Sequence, residues 1–329
     1  MTLDTKLKSL VQLAEEYHKF ANSVNWDLHP KGLYEPIQYI MGLQGKSLRP
    51  QALLMFANFF SNQDETALKA AYALELFHNF TLVHDDLVDQ SETRRGKPTI
   101  HLKFGVHAAV LSGDSMMIYS IKMLNECFSE LNKPDLMPIF YNMAIEVCEG
   151  QDLDMSFESK QIVLLEDYLK MIRQKTSVLL ATCFKLGAAI GGLDRKERQK
   201  AYQLGECLGL AFQIQDDWLD FYGDPSITGK QRAGDVLRCK KTILLIKALD
   251  VASETVKETL LKHYQQNEPN KIEVIDQIFN QLQIRQIVYE LFMSYRNECN
   301  QIIESFTSLH EIHKNQIRDF INQVLNRNS

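Results

Sequence analysis

A long proline-free stretch in the middle of the chain restricts the possible folds more than any other feature. No proline occurs between Pro138 and Pro225, which suits long helices better than a sheet joined by tight turns. Strand-like alternation is scarce. Apolar residues recur at helical spacing in several segments, including 64–90, 166–190, 198–222 and 286–327. The pattern predicts an all-α protein built as a single large helical bundle.

The breaks between these segments are short. Gly223 to Pro225 and Asn267 to Pro269 are examples, and none resembles a linker rich in Pro, Gly or Ser. We therefore predict one domain that covers residues 1–329.

Charge and hydropathy narrow the range of partners. The formal net charge is −6 and no dense Lys/Arg run occurs, so a nucleic-acid partner is not expected. Apolar runs such as Leu53 to Phe60 are far shorter than the ~20 residues that cross a bilayer, so no stable membrane insertion is expected.

Cysteine usage and the N-terminus indicate the compartment. Six cysteines are scattered without a Cys-x-x-Cys pair, which favours a reducing environment over a disulfide framework or a zinc site. The first residues are too polar for a signal peptide, and the acidic pair Glu15-Glu16 argues against a transit segment. A cytoplasmic protein is predicted.

Two acidic motifs, 85–89 and 216–220, carry the chemistry. On a helix, Asp85 and Asp89 project from the same face, as do Asp216 and Asp220. Like charges at this spacing destabilise a helix by a few tenths of a kcal/mol, roughly, unless a cation binds between them. Carboxylates without imidazole or thiolate neighbours favour hard cations, and Mg²⁺ typically combines one or two carboxylates with waters and substrate phosphates.

The pair of motifs is much more informative than either alone. One such motif arises by chance in roughly one chain in fifteen of this length, and two in well under about one percent. Neither segment has the Asp-x-Asp-x-Asp-Gly spacing of a calcium-binding EF-hand. The sequence thus indicates a site for a metal–phosphate complex.

The chain resembles the trans-isoprenyl diphosphate synthases of the polyprenyl synthetase family, of the short-chain type. The matching segments are 45–50, 84–89, 94–96, 175–176 and 212–217, in the order and spacing of that family. The resemblance implies the isoprenoid synthase fold, a helical bundle around a central cavity. It also implies a homodimer and Mg²⁺ as cofactor, with roughly three ions bound beside the substrate.

The resemblance also assigns roles to individual residues. It implies metal binding by the motif carboxylates, with Asp86 and Asp217 in support: Asp85, Asp89, Asp216 and Asp220. It assigns the allylic diphosphate to a polar set in which Arg94 and Lys175 are also catalytic: Arg94, Lys175, Thr176, Gln213, Lys230 and Lys240. It assigns isopentenyl diphosphate to four residues: Lys46, Arg49, His78 and Arg95.

Three positions depart from the family pattern. Gln44 and Ser47 stand where Gly and Arg are usual, and Cys239 stands where Gly usually precedes Lys240.

His78 lies seven residues before Asp85, two helical turns back on the same face, and is expected to bind substrate. His84 is expected to pack within the helix instead.

The implied reaction is a head-to-tail trans condensation of isopentenyl diphosphate with an allylic diphosphate. Two diphosphates in one cleft require metals and Arg or Lys donors to neutralise them. After the allylic C–O bond ionises, the alkene attacks and a proton is lost, with the departing pyrophosphate as the expected base.

The helix that precedes Asp85 bears on product length. A prenyl tail would extend back from the motif past Thr81, Phe80 and Phe77, each turn adding about 5.4 Å. Phe80 followed by Thr81 is similar to enzymes that stop at geranylgeranyl diphosphate. Geranylgeranyl or farnesyl diphosphate is predicted, with a longer polyprenyl product as the alternative and ordinary core packing as the other interpretation of Phe80.

Other classes of protein explain less of the sequence. Glu15-x-x-His18 and Glu75-x-x-His78 match the metal spacing of a di-iron or di-manganese bundle, which leaves both aspartate motifs unexplained. A terpene cyclase needs one diphosphate site and would not require the set of Lys46, Arg49 and Arg95. A catalytically silent regulatory subunit is expected to have lost aspartates or arginines that this chain retains.

Overall fold

The structure, a computed structural model, describes residues 7–43, 45–60, 64–224, 232–266 and 268–326. These residues form helices almost throughout, which confirms the predicted all-α fold class. The only strands in this part of the chain form a short antiparallel hairpin in which Thr93–Arg94 pairs with Lys97–Pro98. No described helix combines the length and the hydropathy needed to span a bilayer.

The first helices in chain order are α1 (Leu10–Ser23), α2 (Lys31–Gly42), α3 (Leu48–Ala57), α4 (Asp64–Val88), α5 (Ile100–Lys103), α6 (Val106–Glu130), α7 (Met137–Ser159) and α8 (Leu165–Ile172). A π-helical segment, Arg173–Ser177, connects α8 to the next helix. The later helices are α9 (Val178–Ile190), α10 (Arg195–Tyr222), α11 (Gly234–Leu237), α12 (Ile243–Val251), α13 (Glu254–Gln265), α14 (Lys271–Gln281), α15 (Ile284–Ser305) and α16 (Glu311–Leu325).

The chain divides into two compact units. Unit 1 comprises residues 1–141 and 182–201, and unit 2 comprises residues 142–181 and 202–329, within the described ranges. Each unit is built around one long helix that carries an aspartate motif: α4 in unit 1 and α10 in unit 2. A single domain over the whole chain stays a prediction.

In unit 1 the core surrounds α4. Every residue from Ala70 to Phe77 is buried, so this part of the helix is enclosed on all sides. Helix α3 is equally enclosed from Pro50 to Ala57. Close approach of backbones makes this possible, because a Cβ placed on Gly187 of α9 would lie 2.3 Å from the carbonyl oxygen of Leu53.

In unit 2 the core contains large aromatic side chains from several helices. Phe221 of α10 packs against Phe279 of α14, with ring centroids 5.2 Å apart, and Tyr264 of α13 is almost wholly enclosed. Gly209 allows α10 to approach the π-helical segment, because a Cβ there would lie 2.6 Å from Ser177 Cα. These contacts hold the helix with the second aspartate motif against its neighbours.

The contact at Gly187 can be tested by substitution. Gly187→Ala is expected to lower the free energy of unfolding by roughly 1–3 kcal/mol, because a methyl group must displace backbone. Gly32→Ala in α2 is the control, since nothing lies within 4 Å of its added Cβ, and it should raise the free energy of unfolding by roughly 0.5 kcal/mol. Equal effects of the two substitutions in urea unfolding would contradict the close packing at Gly187.

Candidate functional site

The first aspartate motif lies at the C-terminal end of α4. Asp85 is half-buried, Asp86 is buried and Asp89 is exposed just beyond the last helical residue. The Asp89 N–H donates to the Asp85 carbonyl at 2.8 Å, so the two residues follow one another by one helical turn. The negative end of the helix dipole adds to the charge of these carboxylates, which makes a bound cation more favourable here.

The middle carboxylate of this motif forms an ion pair with the hairpin. Arg94 donates to Asp86 through Nη2 at 2.5 Å and through Nε at 3.2 Å, an arrangement in which both oxygens accept. Asp86 is only 2% exposed, so its charge is compensated inside the protein. Arg94 is thereby held beside the motif that the sequence assigned it to.

Polar side chains of α3 and of the middle of α4 form a cluster around Arg49 and His78. Arg49 Nη1 is 3.0 Å from His78 Nε2; because a guanidinium can only donate, the imidazole must accept and is neutral. Burial and the nearby charges of Arg49, Arg95 and Arg94 hold the pKa of His78 well below its usual value. The Nε group of Arg49 is buried without a partner.

Glu75 belongs to the same cluster, and the sequence interpretation did not assign it to the substrate site. It is 7% exposed, and its Oε2 atom has no hydrogen-bond partner. Burial raises the pKa of Glu75, while the charges of Arg49 and Arg95 oppose that rise. The signal in the sequence that could have identified Glu75 is a carboxylate within the largely apolar stretch Ala70–Phe77.

The remaining residues assigned to isopentenyl diphosphate also lie in unit 1. The Arg95 guanidinium donates to the Leu43 carbonyl, and a Cβ on Gly45 would lie 2.8 Å from Arg95 Nη2. Lys46 is exposed, and its carbonyl accepts from Gln51 Nε2 at 2.7 Å. Arg95 has φ +52° in the hairpin turn, a left-handed conformation that is uncommon for residues other than glycine.

The residues proposed for chain length form an aromatic row. The rings of Phe77 and Phe80 are 5.4 Å apart, and Phe77 also packs edge-on against Phe140 at 5.3 Å. Phe80 contacts His84 at 4.8 Å and is 8% exposed, whereas Phe77 is fully enclosed. Thr81 donates its hydroxyl to the His78 carbonyl at 2.8 Å.

His84 packs on Phe80 of its own helix, as expected, and it also lies against α6. A Cβ on Gly113 of α6 would lie 2.3 Å from His84 Nε2, so the ring would have to move if Gly113 were replaced.

The second aspartate motif lies in the last two turns of α10, at the same negative end of a helix. Asp217 is buried and accepts from Tyr168 OH at 2.6 Å, from Gln213 Nε2 at 2.9 Å and from the Ile243 N–H at 3.2 Å. Burial and the charge of Asp235 raise the pKa of Asp217 to about 7.

Asp216 and Asp220, on either side, are only half-buried. Asp220 Oδ2 accepts from the Asp235 N–H at 2.9 Å, which connects α10 to the start of α11.

Lys175 and Thr176 lie in the π-helical segment, which the sequence did not indicate. Lys175 Nζ pairs with Asp154 at 2.5 Å, and Thr176 Oγ1 is 3.4 Å from Gln213 Oε1. Gly150 permits this segment to pack closely, because a Cβ there would lie 2.3 Å from the Lys175 backbone nitrogen. π-Helical turns are frequent at functional sites, where an extra residue redirects side chains.

The structure describes only one of the last two basic residues of the predicted site, Lys240 and Lys230. Lys240 is half-buried, and its N–H donates to the Asp235 carbonyl at 2.9 Å. It follows Cys239, which has φ +57°, a conformation that glycine adopts at no cost. Lys230 lies outside the described residues.

The donor sets fit a hard divalent cation. In the part of the chain that the structure describes, no three His, Cys, Asp or Glu side chains gather around one point. Each motif instead offers carboxylates in pairs, which matches the way Mg²⁺ takes few protein ligands and completes its shell with water and phosphate. Glu15, needed by the di-iron alternative, is exposed, and His18 contacts Ser47 Oγ at 3.2 Å.

Comparisons with known proteins identify the family of the chain. Residues 30–282 match the family model described as polyprenyl synthetase. A geranylgeranyl diphosphate synthase of Methanosarcina mazei is 36% identical over 222 residues, covering 67% of this chain and 68% of that protein. A geranylfarnesyl diphosphate synthase of Natronomonas pharaonis is 32% identical over 238 residues, covering 67% and 70%. A crystal structure of a geranylgeranyl pyrophosphate synthase is 36% identical, with a TM-score of 0.90, and the match covers 98% of this chain and 100% of that one.

The hydrogen bond from Tyr168 to Asp217 gives one prediction. Tyr168→Phe removes a donor from a buried carboxylate and should lower the free energy of unfolding by about 2 kcal/mol. Tyr141→Phe is the matched control, because Tyr141 is 44% exposed and should change the free energy by less than about 0.5 kcal/mol. Urea unfolding measures both, and equal small effects would contradict the role of Tyr168.

The neutral state of His78 gives a second prediction. Its pKa is lowered in the folded protein from an ordinary value of 6.5, so below that pH the unfolded chain binds a proton that the folded protein resists. The stability of the wild type relative to His78→Gln should therefore fall as the pH is lowered from about 7 to about 5. A constant difference across this range, measured by urea unfolding, would show that His78 titrates normally.

Proposed function

Because the chain belongs to the polyprenyl synthetase family, we propose that it is a prenyl transferase that condenses isopentenyl diphosphate with an allylic diphosphate, head to tail and in trans. The product is a short-chain prenyl diphosphate. The observation that carries the proposal is the family match over residues 30–282, which includes both aspartate motifs. The arrangement of charged residues within each unit supports it.

Isopentenyl diphosphate is bound, in this proposal, by Lys46, Arg49, His78 and Arg95. Arg49 is fixed against neutral His78 and near the buried carboxylate of Glu75, so its guanidinium is oriented before substrate arrives. Such preorganisation strengthens binding because few side-chain rotamers are lost on association. The exposed Lys46 adds a mobile point charge.

The allylic diphosphate is bound by Arg94, Lys175, Thr176, Gln213, Lys240 and Lys230. Within unit 1, Asp86 holds Arg94 in place; within unit 2, Asp154 does the same for Lys175. These carboxylates restrain the two cations on the side where the proposal places the diphosphate. They would stabilise charge on the pyrophosphate as the allylic C–O bond breaks.

Mg²⁺ is the proposed cofactor, with Asp85, Asp89, Asp216 and Asp220 as its protein ligands and roughly three ions bound beside the substrate. When bound, it would act as a Lewis acid that neutralises the leaving pyrophosphate. The alkene of isopentenyl diphosphate forms the new C–C bond, and the proton lost from the adduct goes to pyrophosphate. No protein base is assigned.

The product proposed is geranylgeranyl or farnesyl diphosphate. Phe80 has a small exposed fraction and Phe77 is enclosed behind it by Phe140, so Phe80 is the first side chain that a growing tail would meet. The longer-chain alternative keeps a specific support, since a relative of similar identity is a geranylfarnesyl diphosphate synthase.

The assembly is proposed to be a homodimer that acts in the cytoplasm. Helix α6 presents exposed apolar side chains that a second copy could cover: Val106, Val110, Leu111 and Ile118. All six cysteines are free thiols, as a reducing compartment favours.

The direct test of the reaction is incubation with labelled isopentenyl diphosphate and a set of allylic primers. Elongation should occur with Mg²⁺ and stop when it is chelated. Asp216→Asn should lower kcat by roughly 10²–10³, whereas Asp250→Asn, a surface carboxylate paired with Lys247, should leave it unchanged. Absence of metal-dependent elongation would refute the proposed function.

Product length is tested by Phe80→Ala. Removing the ring opens about one further turn of α4 to the tail, so the product should lengthen by at least one isoprene unit in chromatography. Phe77→Ala is the companion variant. If only Phe77→Ala lengthens the product, Phe77 and not Phe80 limits the chain.

A further inference from the structure

Cys239 occupies an unusual position in unit 2. It is half-buried, it has φ +57°, and it immediately precedes Lys240. Glycine is usual at this place in the family pattern, and the left-handed backbone conformation explains that preference. In this chain the position carries a thiol in a backbone conformation that is uncommon for residues other than glycine.

The thiol contacts a buried ammonium group. Lys271 is 2% exposed, and its Nζ donates to Cys239 Sγ at 3.2 Å. Among the described residues no carboxylate forms an ion pair with Lys271, and its Nζ lies 5.4 Å from the centre of the Tyr264 ring. Lys271 is also the first residue of α14, where the helix dipole disfavours a positive charge. A buried ammonium in this setting requires an anion.

Other charged groups around Cys239 have opposing effects. Lys241 Nζ donates to the Cys239 carbonyl at 3.0 Å, which adds a second positive charge. Two carboxylates act on the neighbours of Cys239. The charge of Asp235 raises the pKa of Tyr264, and the charge of Glu158 opposes the lowering of the pKa of Lys241. The thiol can donate to the Tyr264 carbonyl at 3.1 Å, which favours the protonated form. S–H is a weak donor, however, and a charge-assisted hydrogen bond is roughly twice as strong as a neutral one.

We propose that Cys239 and Lys271 form a thiolate–ammonium pair and that Cys239 is a modification site for low-molecular-weight disulfides. The thiolate attacks one sulfur of the disulfide, a new S–S bond forms, and the other half leaves as a thiolate. The disulfide is the only co-reactant, and the exchange balances without a further oxidant. A partially exposed cysteine among lysines is the environment in which reactive thiols occur.

The modification has two structural consequences. It removes the counter-charge of Lys271, so the adduct should destabilise unit 2 and reverse when a thiol reductant is added. It also enlarges the residue next to Lys240, whose carbonyl accepts from Tyr264 OH at 2.7 Å. This second consequence rests on the proposed function: the larger side chain beside Lys240 should raise the KM for the allylic substrate more than it lowers kcat.

The test measures alkylation by iodoacetamide and mixed-disulfide formation with oxidised glutathione, quantified for each cysteine by peptide mass spectrometry. Cys148 is the internal control: it is exposed, and partial burial and Glu149 raise its pKa. At pH 7, Cys239 should react on the order of tenfold faster than Cys148 despite its lower exposure.

Lys271→Met should bring the rate at Cys239 to or below that at Cys148, whereas Cys148→Ser should not change it. The comparison of Cys239 with Cys148 in the wild type keeps the proposal testable if Lys271→Met fails to fold. A Cys239 that reacts no faster than Cys148, or a rate unaffected by Lys271→Met, would overturn the thiolate–ammonium pair. Because labelling requires no turnover, failure here is distinct from failure of the prenyl transferase proposal.

Discussion

Hydrogen bonding of the buried middle carboxylate in each aspartate motif is the interaction on which the arrangement of candidate residues in each unit depends. Asp86 is held by two hydrogen bonds from Arg94, and Asp217 by Tyr168, Gln213 and a backbone N–H. A buried carboxylate without partners would cost several kcal/mol, roughly, so these networks fix the rotation of α4 and α10 about their axes. With the middle residue turned inward, the outer carboxylates of each motif are less buried than the middle one.

Three cations assigned to the diphosphates are held in place by protein groups before any substrate binds. The cations assigned to the diphosphates are paired or restrained by protein groups: Arg94 by Asp86, Lys175 by Asp154 and Arg49 by His78 and Glu75. In contrast, the outer carboxylates of the motifs stand at the negative ends of their helices, where electrostatics favours a cation. The same logic explains Lys271, a buried cation whose hydrogen-bonding partner is a thiol and not a carboxylate.

Much of this site was predictable because its signals are local in the sequence. Spacing of four places Asp85 with Asp89, and Asp216 with Asp220, on common helix faces, and the family resemblance added the basic residues. Two features were not predicted from the sequence. The π-helical turn that carries Lys175 and Thr176 depends on the absence of a side chain at Gly150, 25 positions earlier in the chain. The sequence associated Glu75 only with the metal spacing of the di-iron alternative. Its burial near Arg49 and Arg95, which the structure shows, reveals its relation to these two residues.

The sequence by itself determined the helical class, the family and the identity of the motif carboxylates, because helical periodicity and short motifs are properties of neighbouring residues. Only the tertiary structure decided which carboxylates are buried in ion pairs and hydrogen bonds and which stay accessible. It also decided that His78 is neutral and that a thiol neighbours the buried ammonium of Lys271. Burial and hydrogen bonding arise between residues far apart in the chain, and they set the protonation and orientation that the sequence leaves open.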